Sequence, residues 1–362
     1  MSGSMLRLLV VLPSWVGDAA MATPTLRALR AGYPGVLIGA LCRPGIEELM
    51  AGSGFLDELF VERASGMMGP KRAAAKVRPL RFDAALLLTN SFSTALAIRM
   101  AGIPRRIGYD RDGRGLLLTD RMEAPRRADG SWQPVPAVDY YWALARRFLL
   151  PKAPERVPGW LELGSTPQQQ AAAEAILARV ERPAAGLAML NPGGNNPAKR
   201  WPAERFAAIA DRLAERGMGV LVNGSPGERE LVAEIARACR VAKPVGLPDL
   251  GITLGALKGV VGACKVMVTN DTGPRHIAAA MGVPCVSLFG PTDHRWTTIP
   301  TRPSAAEEVV LADPTLPEGE VANDHPERCR IDRIEVDRVW GAVNRVLGTA
   351  DSPADVGRGA ES

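Results

Sequence analysis

Four short segments combine residue types that can do chemistry, and each follows an apolar run. The first is PSWVGD at 13–18, which places Asp18 in the opening turn of a helix. A carboxylate there could take the proton of a hydroxyl as a general base. The helix end would keep it ionised, and so a weak base. The simpler reading is an N-cap, worth about 1 kcal/mol. The second is NPGGNNPAKRWP at 191–202. Gly193 and Gly194 allow a ligand close to the backbone. Asn195 adds a small polar side chain, and Lys199 adds a point charge just ahead of a helix. That combination is a candidate phosphate cradle, although the P-loop pattern is absent. The third is NGSPGERE at 223–230. Glu228 and Glu230 stand where a Rossmann half places its acidic ribose contact. Ordinary acidic residues in a first helical turn are the competing explanation. The fourth is TNDTGPRHIAAAMGVP at 269–284. The backbone N–H groups of Thr272 and Gly273 could hold a diphosphate, with Asp271 and His276 facing the same place.

Other candidates are weaker. The Asp-x-Asp of YDRD at 109–112 could bind a divalent cation, but Arg105, Arg106, Arg111 and Arg114 surround it and point to ion pairing. His294 and His325 lie too far apart to form a ligand cluster, so no metal is expected. Residues 99–127 hold eight arginines against four acids. Arginine forks suit phosphate and carboxylate, and the alternative is a solvated face. Nucleic acid is not the expected partner, because no RNP-like aromatic motif or helix-turn-helix accompanies the run.

These loops need strands to carry them. The run Leu6–Leu12 suits a parallel strand buried on both faces, with a helix following from Asp18 to Ala31. Runs at Val36–Leu41, Ala84–Leu88 and Arg105–Gly108 continue a βα rhythm. The rhythm weakens over 128–163. It resumes with strands at Gly186–Leu190, Gly219–Val222, Val241–Val245, Val266–Thr269 and Cys285–Phe289, and helices between them. The predicted class is α/β, with two doubly wound halves, a hinge near 150–166, and a cleft where strand carboxyl ends face each other. The domains expected are 1–160 and 166–335, then a helix at 336–348 and a disordered tail at 349–362.

Composition agrees with a globular chain of 362 residues, 46% hydrophobic and 23% charged, which excludes disorder and fibrous folds. No apolar run approaches the roughly 20 residues of a membrane span. Five scattered cysteines without a CxxC pair indicate neither a disulfide framework nor a zinc ribbon, so a reduced, cytoplasmic protein is expected. Residues 1–160 carry 22 Lys and Arg against 14 Asp and Glu, whereas the remainder is net acidic. The first half is therefore suited to an anionic partner.

Together the segments resemble the bacterial lipopolysaccharide heptosyltransferases, glycosyltransferase family 9. The resemblance runs from Leu6 to about Leu347. It rests on PSWVGD, the NSF at 90–92, AGIPRRIGY at 101–109, AKRWP at 198–202, TNDTGPRHIAAA at 269–280 and FGPTD at 289–293. PSWVGD and NSF look closer to the family's type II enzymes than to type I. The resemblance implies a GT-B fold of two Rossmann-like domains, with the last helix crossing back to the first. It implies inverting, metal-independent transfer of heptose from ADP-heptose to the inner core on Kdo–lipid A. No cofactor is implied beyond the ADP-sugar substrate. By the match, Asp18 is the general base, Lys199 neutralises the leaving diphosphate and Glu228 grips the ribose. Thr272 and Gly273 form the diphosphate turn, with Gly193, Gly194, Asn195, Asp271 and His276 around the donor. Asn90, Ser91, Arg105 and Arg106 are implied on the acceptor side, with an anionic glycolipid as partner and peripheral contact at the inner face of the inner membrane. The alternatives are a family 9 transferase using another nucleotide sugar, a GT-B nucleotide-sugar epimerase, or a nucleotide-sugar binding module without catalysis. Pro274 and Arg275 depart from the family pattern, which usually has an apolar residue and then a small residue or Met before the histidine.

Overall fold

The computed structural model describes residues 7–64 and 66–350. Leu6, the start of the first predicted strand, and residues 351–362 of the predicted tail lie outside the described residues. The chain forms two units. One comprises residues up to Gly164 together with Arg295–Ile299, and the other comprises Ser165–His294 and the chain from Pro300.

The first unit is a six-stranded parallel sheet of order β3-β2-β1-β4-β5-β6. Its strands are β1 (Arg7–Val11), β2 (Leu37–Cys42), β3 (Glu58–Val61), β4 (Ala84–Leu87), β5 (Arg105–Asp110) and β6 (Asp120–Glu123). Its helices are α1 (Val16–Met21), α2 (Thr23–Gly32), α3 (Ile46–Met50), α4 (Gly69–Val77), α5 (Phe92–Met100) and α6 (Ala137–Phe148). Leu8, Leu9 and Val10 are fully buried, as a strand covered on both faces requires. Gly39 in β2 is needed for packing, because a Cβ there would lie 2.8 Å from both the Phe60 and Phe82 rings.

The helix predicted over 18–31 is two helices, and the first begins at Val16 with Trp15 as its N-cap. Asp18 therefore sits inside the first turn and is not the cap. The break has a local cause. Pro24 has no N–H to offer the carbonyl of Ala20. The Thr23 hydroxyl donates to that carbonyl instead, at 2.7 Å.

The second unit repeats the plan with order β12-β11-β10-β7-β8-β9, again parallel throughout. Its strands are β7 (Leu187–Asn191), β8 (Gly219–Val222), β9 (Val245–Gly246), β10 (Cys264–Asn270), β11 (Cys285–Phe289) and β12 (Glu307–Leu311). Its helices are α7 (Pro167–Leu177), α8 (Ala203–Glu215), α9 (Arg229–Ala238), α10 (Leu254–Gly262), α11 (Gly273–Met281) and α12 (Val336–Ala350). Trp201, Phe206, Val266, Val268 and Leu288 form the centre of its core. The Trp201 indole N–H donates to the Ile334 carbonyl at 2.9 Å and fixes the approach to α12. Val339, Ala342, Val343 and Val346 of α12 are buried in this same core.

β3, β6 and β12 were not foreseen, and β9 is shorter than the predicted 241–245. These four are the sheet edges. An edge strand is covered on one side only, so it tolerates charge and lacks a continuous apolar run.

Candidate active site

In the second unit, three parallel strands end on asparagine. Asn191 closes β7, Asn270 closes β10, and Asn223 follows β8. All three are buried. The Asn223 amide donates to Asn191 Oδ1 at 2.7 Å. The Asn191 amide donates to the hydroxyls of Thr269 and Thr272 at 3.1 and 2.9 Å. Asn270 donates to the Pro192 carbonyl at 2.7 Å and accepts the Trp201 N–H at 3.3 Å. Buried side-chain amides satisfied in this way fix the loops they join. This scaffold was not read from the sequence. Its signal was there: each apolar run ends in Asn, as LN, VN and TN.

The loops so fixed carry the predicted donor-site residues. Asn196 accepts the Ala198 N–H at 3.0 Å and starts the turn Pro197–Lys199. Lys199 Nζ then lies 2.8 Å from Asp271 Oδ2. Burial raises the Asp271 carboxyl, but Lys199 and Arg275 outweigh it and hold the group below its ordinary range. Thr272 is the extended N-cap of α11 and contributes no side-chain cap to it. At the helix start the Gly273 N–H is therefore placed to meet an anion, whereas Pro274 has no N–H and the Arg275 N–H donates to the Thr272 carbonyl at 3.2 Å.

Glu228 is spent on backbone. Its Oε1 accepts the Gly194 N–H at 2.9 Å, and its Oε2 accepts the Ser225 N–H and hydroxyl at 2.8 and 2.9 Å. Burial pushes its carboxyl up, and these hydrogen bonds pull it below its ordinary range. A Cβ on Gly193 would fall onto this carboxylate, so any larger residue there must move Glu228. Asn195 is exposed beside them. Glu230 points elsewhere and pairs with Arg237 at 2.6 Å.

His276 is fully enclosed. Its Nδ1 lies 3.2 Å from the Thr272 carbonyl oxygen. Burial, with Arg275 beside it, lowers its pKa to about 4, so the ring is neutral at pH 7. A neutral ring meeting a carbonyl must donate from Nδ1, which leaves Nε2 as an acceptor. Nε2 has no hydrogen-bond partner among the described residues.

The first unit carries the other candidates. Asp18 lies in the first turn of α1, half-buried. The Tyr141 hydroxyl is raised well above its usual range by burial and by the charge of Asp18 nearby. Ser91 caps α5 by accepting the Thr94 N–H at 3.3 Å. Asn90 Oδ1 accepts from Tyr140 and Arg114, both at 3.3 Å. Arg114 is completely buried, and burial lowers its pKa to about 10. It donates to the carbonyls of Tyr109 and Thr89, so it supports the Asn90 loop from beneath.

The arginine run is mostly committed to the fold. Arg105 pairs with Asp120 at 2.9 Å, and Arg106 donates to the carbonyls of Leu117, Ile103 and Pro104. Arg111 and Arg126 sandwich Trp132, with guanidinium carbons 4.0 and 3.8 Å from the ring centre. Asp110 and Asp112 of YDRD pair with Arg121 and Arg111. Among the described residues no three His, Cys, Asp or Glu gather in a metal-ligating group.

The solved structure of Escherichia coli ADP-heptose LPS heptosyltransferase II matches with TM-score 0.78 and 26% identity, over 96% of this chain and 100% of that one. A glycosyltransferase family 9 structure from Veillonella parvula matches in fold with TM-score 0.82 and 21% identity, over 96% and 98%. The fold is that of the GT-B glycosyltransferases. The model of glycosyltransferase family 9 (heptosyltransferase) matches residues 71–322. Lipopolysaccharide heptosyltransferase 2 of Escherichia coli K12 is 31% identical over 303 residues, 81% of this chain and 85% of its own length. Lipooligosaccharide heptosyltransferase 2 of Haemophilus influenzae is 30% identical over 311 residues, with the same coverage. The chain belongs to glycosyltransferase family 9.

Proposed function

We propose that the protein transfers heptose from ADP-heptose to a lipopolysaccharide inner-core acceptor bearing Kdo or heptose, with inversion at the anomeric carbon and no metal ion. The names of the relatives support this reading, as does the likeness of PSWVGD and NSF to the type II enzymes. The observation that carries it is Lys199 on Asp271 beside the uncapped start of α11. As the anomeric C–O bond breaks, its electron pair passes to the diphosphate. A cation and helix-end amides fixed in advance stabilise charge developing there, because they need not reorganise. Gly193, Gly194 and Asn195 border the nucleotide, held by Glu228. Asp271, Thr272, Gly273 and the acceptor Nε2 of His276 border the sugar and its phosphates. Asp18 takes the acceptor hydroxyl proton as that oxygen attacks. Asn90 and Ser91 orient the acceptor, and Arg105 and Arg106 add positive charge on that side.

The partner surface extends to an anionic membrane on its cytoplasmic side. No helix among the described residues is long and apolar enough to cross a membrane. Residues 63–82 hold six basic residues and no acid, and within them Met67 and Met68 are 97% and 51% exposed. Exposed apolar side chains among lysines and arginines suit peripheral contact with anionic lipid.

The test is incubation with ADP-heptose and a deacylated Kdo-bearing acceptor in EDTA. The reading expects the acceptor to gain one heptosyl unit in step with ADP release. Donor turnover without acceptor would indicate an epimerase or hydrolase. Turnover only with other ADP-sugars would overturn heptose as donor.

A further inference from the structure

A second ion pair lies behind Lys199 and Asp271, in line with them. Arg275, in the first turn of α11, has a side chain only 1% exposed. Its Nε and Nη2 meet the two carboxylate oxygens of Glu307, at the start of β12, at 2.6 and 3.1 Å. Nε also lies 3.2 Å from the Ser287 hydroxyl, and the guanidinium rests over the Phe289 ring. The remaining arm, Nη1, lies 3.5 Å from Asp271 Oδ1. The other Asp271 oxygen takes Lys199 Nζ at 2.8 Å and the Thr292 hydroxyl at 3.3 Å. Four groups thus alternate in sign: Glu307, Arg275, Asp271, Lys199. Only the last reaches appreciably toward solvent.

Stability alone does not call for this arrangement. Buried ion pairs commonly gain little over apolar side chains of equal volume. What apolar side chains would not supply is a fixed charge aimed at Asp271 in a medium of low dielectric. A carboxylate held on both oxygens cannot turn. With part of its charge met by Arg275, it also holds the lysine less exclusively.

We propose that Arg275, clamped by Glu307, is a positioning residue for the donor site: it fixes the Asp271 carboxylate and shares its charge, leaving Lys199 able to meet an incoming diphosphate. The identity of that anion rests on the function proposed above; the positioning of Asp271 does not. The charged and titratable groups facing Asp271 include Lys199 from the 197–199 turn and Arg275 and His276 from α11, with Glu307 of β12 behind Arg275.

The test compares wild type with Arg275→Met/Glu307→Gln. The pair removes one charge of each sign and keeps an acceptor for Ser287. Three quantities are read: thermal unfolding, the carboxyl-carbon NMR titration of Asp271, and ADP affinity by calorimetry. The account expects a folded variant whose Asp271 titrates higher and whose ADP affinity falls on the order of tenfold, the equivalent of one pKa unit of lost interaction. In an Asp271→Asn background the same pair should change ADP affinity no further, because the effect passes through that carboxylate. Glu307→Gln alone leaves Arg275 free to lean on Asp271 and must move the midpoint the opposite way, downward. It also decides the matter if the double variant does not fold. An unmoved Asp271 midpoint, or equal ADP affinity in wild type and the double variant, overturns the proposal. If wild type itself binds no ADP, the donor reading fails and the Asp271 titrations still judge the positioning.

Discussion

Glu228 Oε1 accepts the Gly194 N–H at 2.9 Å and so ties the loop after β7 to the turn after β8. Gly193 lies directly against that carboxylate. Gly193→Ala therefore displaces Glu228 while every charged residue of the site is kept. Donor KM should rise about tenfold with kcat nearly kept, because the change removes binding shared by ground and transition states. Overpacking of this kind costs about 1–3 kcal/mol of stability. Steady-state kinetics with chemical denaturation checks both, and an unchanged KM would mean that this loop does not touch the donor.

Lys199→Met removes the cation beside the α11 start and leaves Asp271 on Arg275. The loss of one preorganised group at a developing charge costs on the order of a hundredfold or more in kcat. The unfolding midpoint should fall as well, because the buried Asp271 carboxylate is left with less compensating charge. Single-turnover ADP release with thermal unfolding tests this. A loss confined to KM would place the lysine on the ground state only.

His276 gives the protein a signature in acid. Its ordinary pKa of 6.5 falls to about 4 in the fold. Between those values the unfolded chain binds a proton that the native state does not, so stability rises with pH there. The contribution is complete above pH 6.5 and is lost as pH falls toward 4, on the order of 3 kcal/mol in full. Urea unfolding at pH 7 and pH 5 should show a drop that His276→Gln lacks. The same drop in the variant would assign the acid sensitivity elsewhere.

Met67→Ser/Met68→Ser tests the membrane surface. Binding to vesicles of phosphatidylglycerol and phosphatidylethanolamine should weaken about tenfold, given roughly 0.8 kcal/mol for each methylene withdrawn from lipid. Binding should also weaken with salt, as attraction between exposed charges does. Turnover of a deacylated acceptor in solution should not change. Equal vesicle binding by wild type and variant would remove this segment from the contact.

The central strands were legible because they are long apolar runs. β8 and β11 have the bounds their residues suggest, β7 shifts by one residue, and β1 ends one residue earlier. The edges were not, because their residues answer to solvent as much as to a partner strand. The donor loops were legible for a related reason: Gly193 and Asp271 are small or polar residues just after apolar strands, and Lys199 is a lone cation just ahead of a helix. Arg114 and Arg275 were not. Each reads locally as one more surface arginine, and only the fold reveals that one is sealed under Asn90 and the other is locked to Glu307, 32 residues away. Glu228 was recognised as a donor-site residue, but its bonds to Gly194 and Ser225 follow from loop geometry that spacing does not encode.

The central claim is acceptor-dependent transfer with Asp18 as base. The most direct measurement is ADP release from ADP-heptose, with and without deacylated Kdo-bearing acceptor, by wild type and Asp18→Asn. The account predicts release by wild type only when acceptor is present. It predicts a rate at least on the order of a hundredfold lower in the variant, the usual contribution of a general base, with ADP affinity by calorimetry unchanged. Release that ignores the acceptor, or an Asp18→Asn enzyme as fast as wild type, would contradict it.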